Sequence, residues 1–287
     1  MKQPIVIGIG EILWDILKEG KQLGGAPANF IYHCAQQGAE AYVISAVSND
    51  KLGHQIEELL QQKGVSAFLN PSKLPTGTVT VAVTEGGEPS YTIHENVAWD
   101  TILLTDEAKS KLKEADAICF GSLAQRASQS KKAIEEALGI VSQNCLKVFD
   151  INLRQQYYSK ALIEKCLLEA DILKINEDEI TVLIDMFQIE GRTVVRLKAL
   201  IAFFNLKMVV LTMGKEGSYL VTADEDSYFK TPKVDVADTI GAGDAFTATM
   251  VMGLLKGKPL KELHQEAVEV AAFVCTHKGA MPDYKSI

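Results

Sequence analysis

Short, mostly apolar runs alternate with longer amphipathic ones along almost the whole chain, and this limits the fold more than any other feature. The apolar runs at 5–10, 42–47, 117–121, 148–151, 172–175 and 208–212 read as strands buried on both faces. Between them, apolar residues recur with helical spacing at 29–37, 54–63, 130–141, 161–169, 177–186 and 193–204. Strands apolar on both faces need cover on both, so the pattern predicts a three-layer α/β/α sandwich around a mostly parallel sheet. Two segments break the alternation. Residues 76–84 and 90–94 show strand-type alternation around Glu85-Gly-Gly-Glu88, a hairpin pattern, and 12–25 holds the turn residues Lys18-Glu-Gly-Lys21. Segments 12–25 and 76–98 are read as a small antiparallel sheet standing off the body as a lid; the alternative makes them edge strands of the main sheet. No repeat or linker interrupts the chain, so 1–287 is read as one domain.

Composition narrows the partners. Of 287 residues, 47% are hydrophobic and 23% charged, an ordinary globular balance. The net charge is −8 and the pI about 5.3, which excludes the basic surface that nucleic acid or an anionic membrane requires. An acidic chain that handles a polyphosphate must concentrate positive potential locally, through backbone N–H groups, a few Lys or Arg and a divalent cation. Cys34, Cys119, Cys145, Cys166 and Cys275 are scattered, odd in number and never spaced C-x-x-C, which argues for reduced thiols in the cytoplasm and against a zinc site. The apolar run after Met1-Lys-Gln-Pro is too short for a signal peptide, and no run reaches the ~18 residues of a membrane span. The chain is expected to be neither exported nor membrane-bound.

Chemistry concentrates at Asp238-Thr-Ile-Gly-Ala-Gly-Asp244, which leads into a helix-compatible run. Gly241, Ala242 and Gly243 leave N–H groups uncovered where a helix begins, and with the helix dipole these form a cradle for negative oxygens. A carboxylate inside such a cradle opposes a resting phosphate. Asp244 is therefore read as a base that takes a proton from an attacking hydroxyl while the cradle holds a phosphoryl group. The competing reading is a Gly-rich turn whose Asp complements the dipole.

Near the N-terminus, Gly24-Gly-Ala-Pro-Ala-Asn29 precedes a helix and Gly10-Glu-Ile-Leu-Trp-Asp15 follows a strand. Gly24 and Gly25 permit close backbone approach. Asp15 and Asn29 can hold a neutral polyol; equally, Asn29 can cap the helix and Asp15 lie in an exposed turn. Asn176-Glu-Asp-Glu179 fits both a capping box and a pair of polar groups facing a ligand from one helix turn. Thr212-Met-Gly-Lys-Glu-Gly217 follows a strand where parallel sheets bind ligands, and Gly214 and Gly217 would admit a nucleotide, although alone it is an ordinary turn. Arg154 is either a bidentate phosphate ligand or a surface residue. In the prospective lid, His94 and Asn96 are placed near a substrate. Gly8-Ile-Gly10 lacks the third glycine of a dinucleotide fingerprint, position 13 being Leu13.

Taken in order from Gly10 to Gly279, these motifs resemble the ribokinase-like carbohydrate kinases, also called the phosphofructokinase B family, and the fructokinases most of all. The resemblance implies an α/β sandwich with a β lid and ATP-dependent phosphorylation of a hydroxymethyl group on a small neutral sugar, fructose first. It implies Asp244 as base, the amides of 241–244 as anion hole, and Asp15, Gly24, Gly25 and Asn29 as sugar ligands. Thr212, Gly214 and Gly217, with Gly241 and Gly243, would contact the nucleotide. Asn176 and Glu179 would position Mg2+ and phosphates through water. A monovalent cation such as K+ would sit near Asp238, Ile240 and Gly279, and lid strands would pair two subunits into a homodimer. The alternative acceptors are 2-keto-3-deoxygluconate, ribose or a nucleoside; the lack of Arg and Lys in 91–100 favours a neutral sugar. A non-catalytic sugar-binding regulator on the same scaffold is the other reading, against which Asp244 and its glycines argue. Ile31, Ser48 and Thr249 depart from the family pattern, which has small residues or glycine there.

Overall fold

The structure, a computed structural model, describes residues 2–17, 20–83 and 89–284. In chain order come β1 (Ile5–Ile9), β2 (Leu13–Leu17), β3 (Gly20–Gly24), α1 (Ala26–Gln36), β4 (Glu40–Ser48), α2 (Lys51–Gln62) and β5 (Ser66–Ser72). There follow β6 (Gly77–Val83), β7 (Pro89–Ile93), α3 (Asp106–Glu114), β8 (Ala117–Phe120), α4 (Ser128–Ile140), β9 (Leu146–Asp150) and α5 (Lys160–Glu169). The rest is β10 (Ile172–Asn176), α6 (Glu177–Phe187), α7 (Thr193–Phe204), β11 (Met208–Thr212), β12 (Ser218–Val221), β13 (Asp226–Phe229), α8 (Ala242–Leu255) and α9 (Leu260–Cys275).

Among the described residues, nine strands form one sheet in the order β13-β12-β11-β10-β9-β8-β1-β4-β5, parallel except for the pairings of β12 with its two neighbours. Strand alternation divides the side chains of β1 between two cores: Ile5, Ile7 and Ile9 pack with Ile44 and Phe149, while Val6 packs with Val43 and Val148. Helices α3 to α7 cover the first face, and α1, α2, α8 and α9 the second. The three-layer sandwich forms as the alternation predicts. Strand order reverses at β1, which lies between β8 and β4, and open α/β sheets bind ligands at the carboxyl ends beside such a reversal.

The two irregular segments do not join the main sheet. They form a separate four-stranded sheet in the order β3-β2-β6-β7. It is mixed rather than antiparallel, because β2 and β6 come from different hairpins and run side by side in parallel. The hairpin loop at 85–88 and turn residues 18 and 19 lie outside the described residues. Trp14 roots this sheet on the body: its indole N–H donates to the Leu52 carbonyl at 3.0 Å, and the Lys21 ammonium lies 4.1 Å above its ring.

Two of the departures have local compensation. Ile31 is fully buried against Gly8, where a Cβ would lie 2.9 Å from Ile31 Cγ1. The Thr249 hydroxyl donates to the Ala245 carbonyl at 2.8 Å and accepts from Gln37 Nε2 at 2.9 Å, so this buried polar group is satisfied. Ser48 donates its backbone N–H to Thr76 Oγ1 at 3.1 Å. Among the described residues, no helix is long and apolar enough to cross a membrane.

Candidate active site

The site begins where α8 begins. Gly241 occupies the N-cap with φ 79, a left-handed conformation, and a Cβ there would lie 2.6–2.8 Å from Ala280. Ala242, Gly243 and Asp244 form the first turn, whose N–H groups have no partners within the helix. Asp244 Oδ2 accepts from Asn29 Nδ2 at 2.8 Å, a contact that joins motifs 215 residues apart. Asn29 is not the cap of α1. That helix starts at Ala26, with Gly25 as N-cap and Pro27 in its first turn, which frees the Asn29 side chain for Asp244. Asn29 Oδ1 is buried without a partner, an acceptor suited to a ligand hydroxyl. Burial raises the Asp244 pKa from 3.8 to about 6 and the Asp150 charge adds to it, while the Asn29 bond, Lys174 and Arg154 oppose the rise. Such a group is ionised at neutral pH yet basic enough to accept a proton.

Asp15, on the small sheet, shares an electrostatic neighbour with Asp244, since the Arg154 charge acts on both carboxylates. Asp15 lies in β2, and the space a Cβ on Gly24 would need is filled by its carboxylate; Gly25, at φ 110, has no room for a side chain against the Glu11 carbonyl. Burial raises the Asp15 pKa and Arg154 opposes it. Arg154 is exposed and donates to the Leu153 carbonyl at 3.0 Å, but its charge reaches Glu11, Asp15 and Asp244. It forms the cationic edge of the cleft. His94 is exposed, its Nε2 paired with Thr80 Oγ1 at 2.8 Å and its carbonyl accepting from Arg126 Nη2 at 2.6 Å. These contacts tie His94 to the small sheet and its root, not to Asp244 or Asn29. Asn96 beside it is exposed, with φ 55.

The second polar pair forms the capping box of α6. Asn176 caps α6, its Oδ1 accepting from the N–H groups of Asp178 and Glu179 at 2.9 Å, and Glu179 Oε2 accepts from Asn176 N–H at 2.8 Å. Glu179 Oε1 accepts from Leu153 N–H at 2.9 Å. Asn176 pairs in register with Thr212, which leads to Gly214 at φ 50 and Gly217 at φ 123. Among the described residues, no group of three or more His, Cys, Asp or Glu is placed to hold a metal directly. The Asn176 and Glu179 oxygens retain lone pairs beyond their N–H bonds, so the pair fits Mg2+ held through water and phosphate, the usual mode for that ion. Asp238 gathers the remaining candidates: Oδ1 accepts from Ile240 N–H at 3.0 Å and Oδ2 from Gly279 N–H at 3.1 Å.

Two buried charged groups carry no role of their own in the motif reading: Lys174 and, within the Gly10–Asp15 motif, Glu11. Lys174 is buried, its ammonium 3.2 Å from Asp150 Oδ1 and 3.3 Å from where a Gly243 Cβ would stand. Burial works against its charge, but Asp150, Glu179 and Asp244 outweigh that and raise its pKa. It is a fixed cation beside the cradle. Glu11, buried at the end of β1, has its pKa raised to about 7 by burial, and its Oε2 has no partner. Glu11, Gly121, Asp150 and Asn152 line a cavity of about 10 Å3 between the ends of β1, β8 and β9, room for about one water. A lone Lys inside the apolar run 172–175 was the available signal for the first of these.

Residues 16–286 match the pfkB family carbohydrate kinases, and the chain belongs to that family. It is similar to the sugar kinase PH1459 of Pyrococcus horikoshii, described as uncharacterized, with 29% identity over 298 residues that span 96% of this chain and 91% of that one. The crystal structure of PH1459 in complex with ATP superposes with a TM-score of 0.82 at 28% identity, covering 96% of this chain and 94% of that one. Fructokinase-1 of Zea mays is 27% identical over 306 residues, 97% of this chain and 94% of the maize protein. A fructokinase of Xylella fastidiosa with bound ATP shares the fold, with a TM-score of 0.84 at 19% identity over 96% of this chain and 94% of that one.

Proposed function

We propose that the chain transfers the γ-phosphoryl group of ATP to a hydroxymethyl group of a small neutral sugar, with fructose the first candidate. The contact between Asn29 and Asp244 supports this reading most, because it sets a polyol-binding amide beside a proton acceptor at a helix N-terminus. Asp15, Gly24, Gly25 and Asn29 hold sugar hydroxyls. Asp244 takes the proton of the attacking hydroxyl, while the N–H groups of 241–244 and Lys174 bear the charge of the transferring group. Arg154 forks onto its oxygens, and Thr212, Gly214 and Gly217 line the nucleotide. Asn176 and Glu179 hold Mg2+ through water; the ion, when bound, neutralises phosphate oxygens. A monovalent cation such as K+ belongs beside Asp238, Ile240 and Gly279.

Residues 1–287 act as one kinase domain, with the small sheet as a lid that excludes water and so limits ATP hydrolysis. The outer strands β3 and β7 of that sheet offer edges through which two subunits pair. Arg126 reaches the 94–100 segment from the body, but Asp100 matches its charge at 2.8 and 2.9 Å, which keeps a neutral sugar favoured over a sugar acid. The test is coupled ADP release across fructose, ribose, a nucleoside and 2-keto-3-deoxygluconate. Fructose-dependent ADP supports the reading. Preference for another acceptor moves the substrate within the class, and sugar binding without ADP makes the chain a regulator.

A further inference from the structure

Helix α1 carries Asn29 and His33 one turn apart, hence on one face. Asn29 holds the Asp244 carboxylate. His33 is fully buried, with Nε2 2.9 Å from the Ala280 carbonyl and Nδ1 2.7 Å from the Tyr284 hydroxyl. A carbonyl only accepts, so Nε2 carries the proton and Nδ1 accepts from Tyr284. Burial lowers the His33 pKa to about 4, which keeps the ring neutral. Two further bonds reach the same segment: Tyr32 donates to the Pro282 carbonyl at 2.7 Å and Lys63 to the Met281 carbonyl at 2.8 Å. Residues 280–284 are thus strapped onto α1 and α2. The inner end of the strap abuts the cradle, since Gly241 packs on Ala280 and Asp238 ties Gly279 to Ile240.

We infer that His33 is a positioning residue of the phosphoryl-transfer site, fixing through Ala280 the backbone turn at Gly241 that opens the anion cradle. The inference rests on the kinase reading above. One helix then sets both the base, by Asn29, and the cradle, by His33. Loosening the strap displaces the cradle while Asp15, Gly25 and Asn29 keep their places, so the effect falls on turnover and not on sugar affinity.

Three variants test this: His33→Ala, His33→Gln, whose amide nitrogen replaces Nε2, and Ala280→Gly, which keeps the carbonyl but removes the Cβ facing Gly241. Turnover, sugar KM and hydrogen exchange of the peptide 238–244 are read together. His33→Ala is expected to lower kcat about tenfold or more, the scale of a small misplacement, with sugar KM within about twofold and faster exchange in 238–244. His33→Gln restores most of both losses, and Ala280→Gly shows a milder form of them. A folded His33→Ala variant with wild-type kcat and exchange overturns the inference, as do equal losses in His33→Gln and His33→Ala, which mark simple space filling. Should His33→Ala fail to fold, unchanged kcat and exchange in Ala280→Gly overturn it. A wild-type chain that releases no sugar-dependent ADP defeats the kinase reading instead, and the exchange of 238–244 then judges the strap alone.

Discussion

Replacing Asp244 by Asn separates what the site does from what it costs. Asn is nearly isosteric and can still accept the Asn29 Nδ2 bond of 2.8 Å, so the cleft keeps its shape while losing its proton acceptor. With a pKa of about 6, about nine-tenths of wild-type molecules hold the ionised carboxylate at pH 7. Turnover in the variant should therefore fall at least about 10²-fold, the scale of a lost general base, with ATP binding largely intact. Stability should move the other way. The folded-state pKa lies above the ordinary 3.8, so the ionised carboxylate destabilises the fold fully above about pH 6, progressively less as pH falls, and not at all below 3.8. Asp244 keeps partial contact with solvent, so the difference is at most about 3 kcal/mol, or a Tm higher by up to roughly 5 °C in the variant at pH 8, with no gain at pH 3.5. Sugar-dependent ADP release and urea or thermal denaturation at the two pH values supply the readouts. Near wild-type turnover would refute the role of Asp244. A variant no more stable than wild type at pH 8 would refute the argument that its burial strains the site.

Other perturbations probe neighbouring groups. Lys174→Met strands Asp150 and removes the fixed cation beside Gly243, so kcat should fall about 10²-fold and stability by roughly 3 kcal/mol, read by kinetics and urea titration. Asn29→Ala removes the hydrogen bond that holds the Asp244 pKa down; sugar KM should rise, and the acid limb of the rate profile should shift to higher pH. Glu11→Gln should stabilise the protein by up to about 3 kcal/mol at pH 8 and by nothing at pH 4, because burial raises the Glu11 pKa from 4.5 to about 7. Equal stability of that variant and wild type at pH 8 would show that Glu11 is not confined as the structure has it.

The main sheet was legible because a parallel strand covered on both faces must be largely apolar, as β1 and β8 are throughout and β11 is up to Thr212. The edge strand β5 escaped for the same reason in reverse: Ser66, Asn70, Pro71 and Ser72 leave it only the three apolar residues Ala67, Phe68 and Leu69. Helix α3 escaped because only Ala108 and Leu112 are buried along it. Asp244 and Asn29 were visible as motifs, but their contact is a tertiary fact, made between residues 215 apart in the chain. A stretch without cations, 91–100, reads as a surface without cations, but Arg126 enters it from the segment after β8. His33 left no mark at all, since a histidine within an apolar helix pattern looks the same whether or not its ring holds a distant carbonyl.

The pH dependence of kcat/KM for the preferred sugar, measured side by side in wild type and Glu11→Gln, bears most directly on whether Asp244 is the base. This parameter reports ionisations of the free enzyme, and the Gln substitution removes the nearby carboxyl whose pKa is raised to about 7. In both proteins kcat/KM should rise about tenfold per pH unit below about 6 and level off above it. A profile that stays flat from about pH 5 to 8 in the Glu11→Gln protein contradicts the assignment.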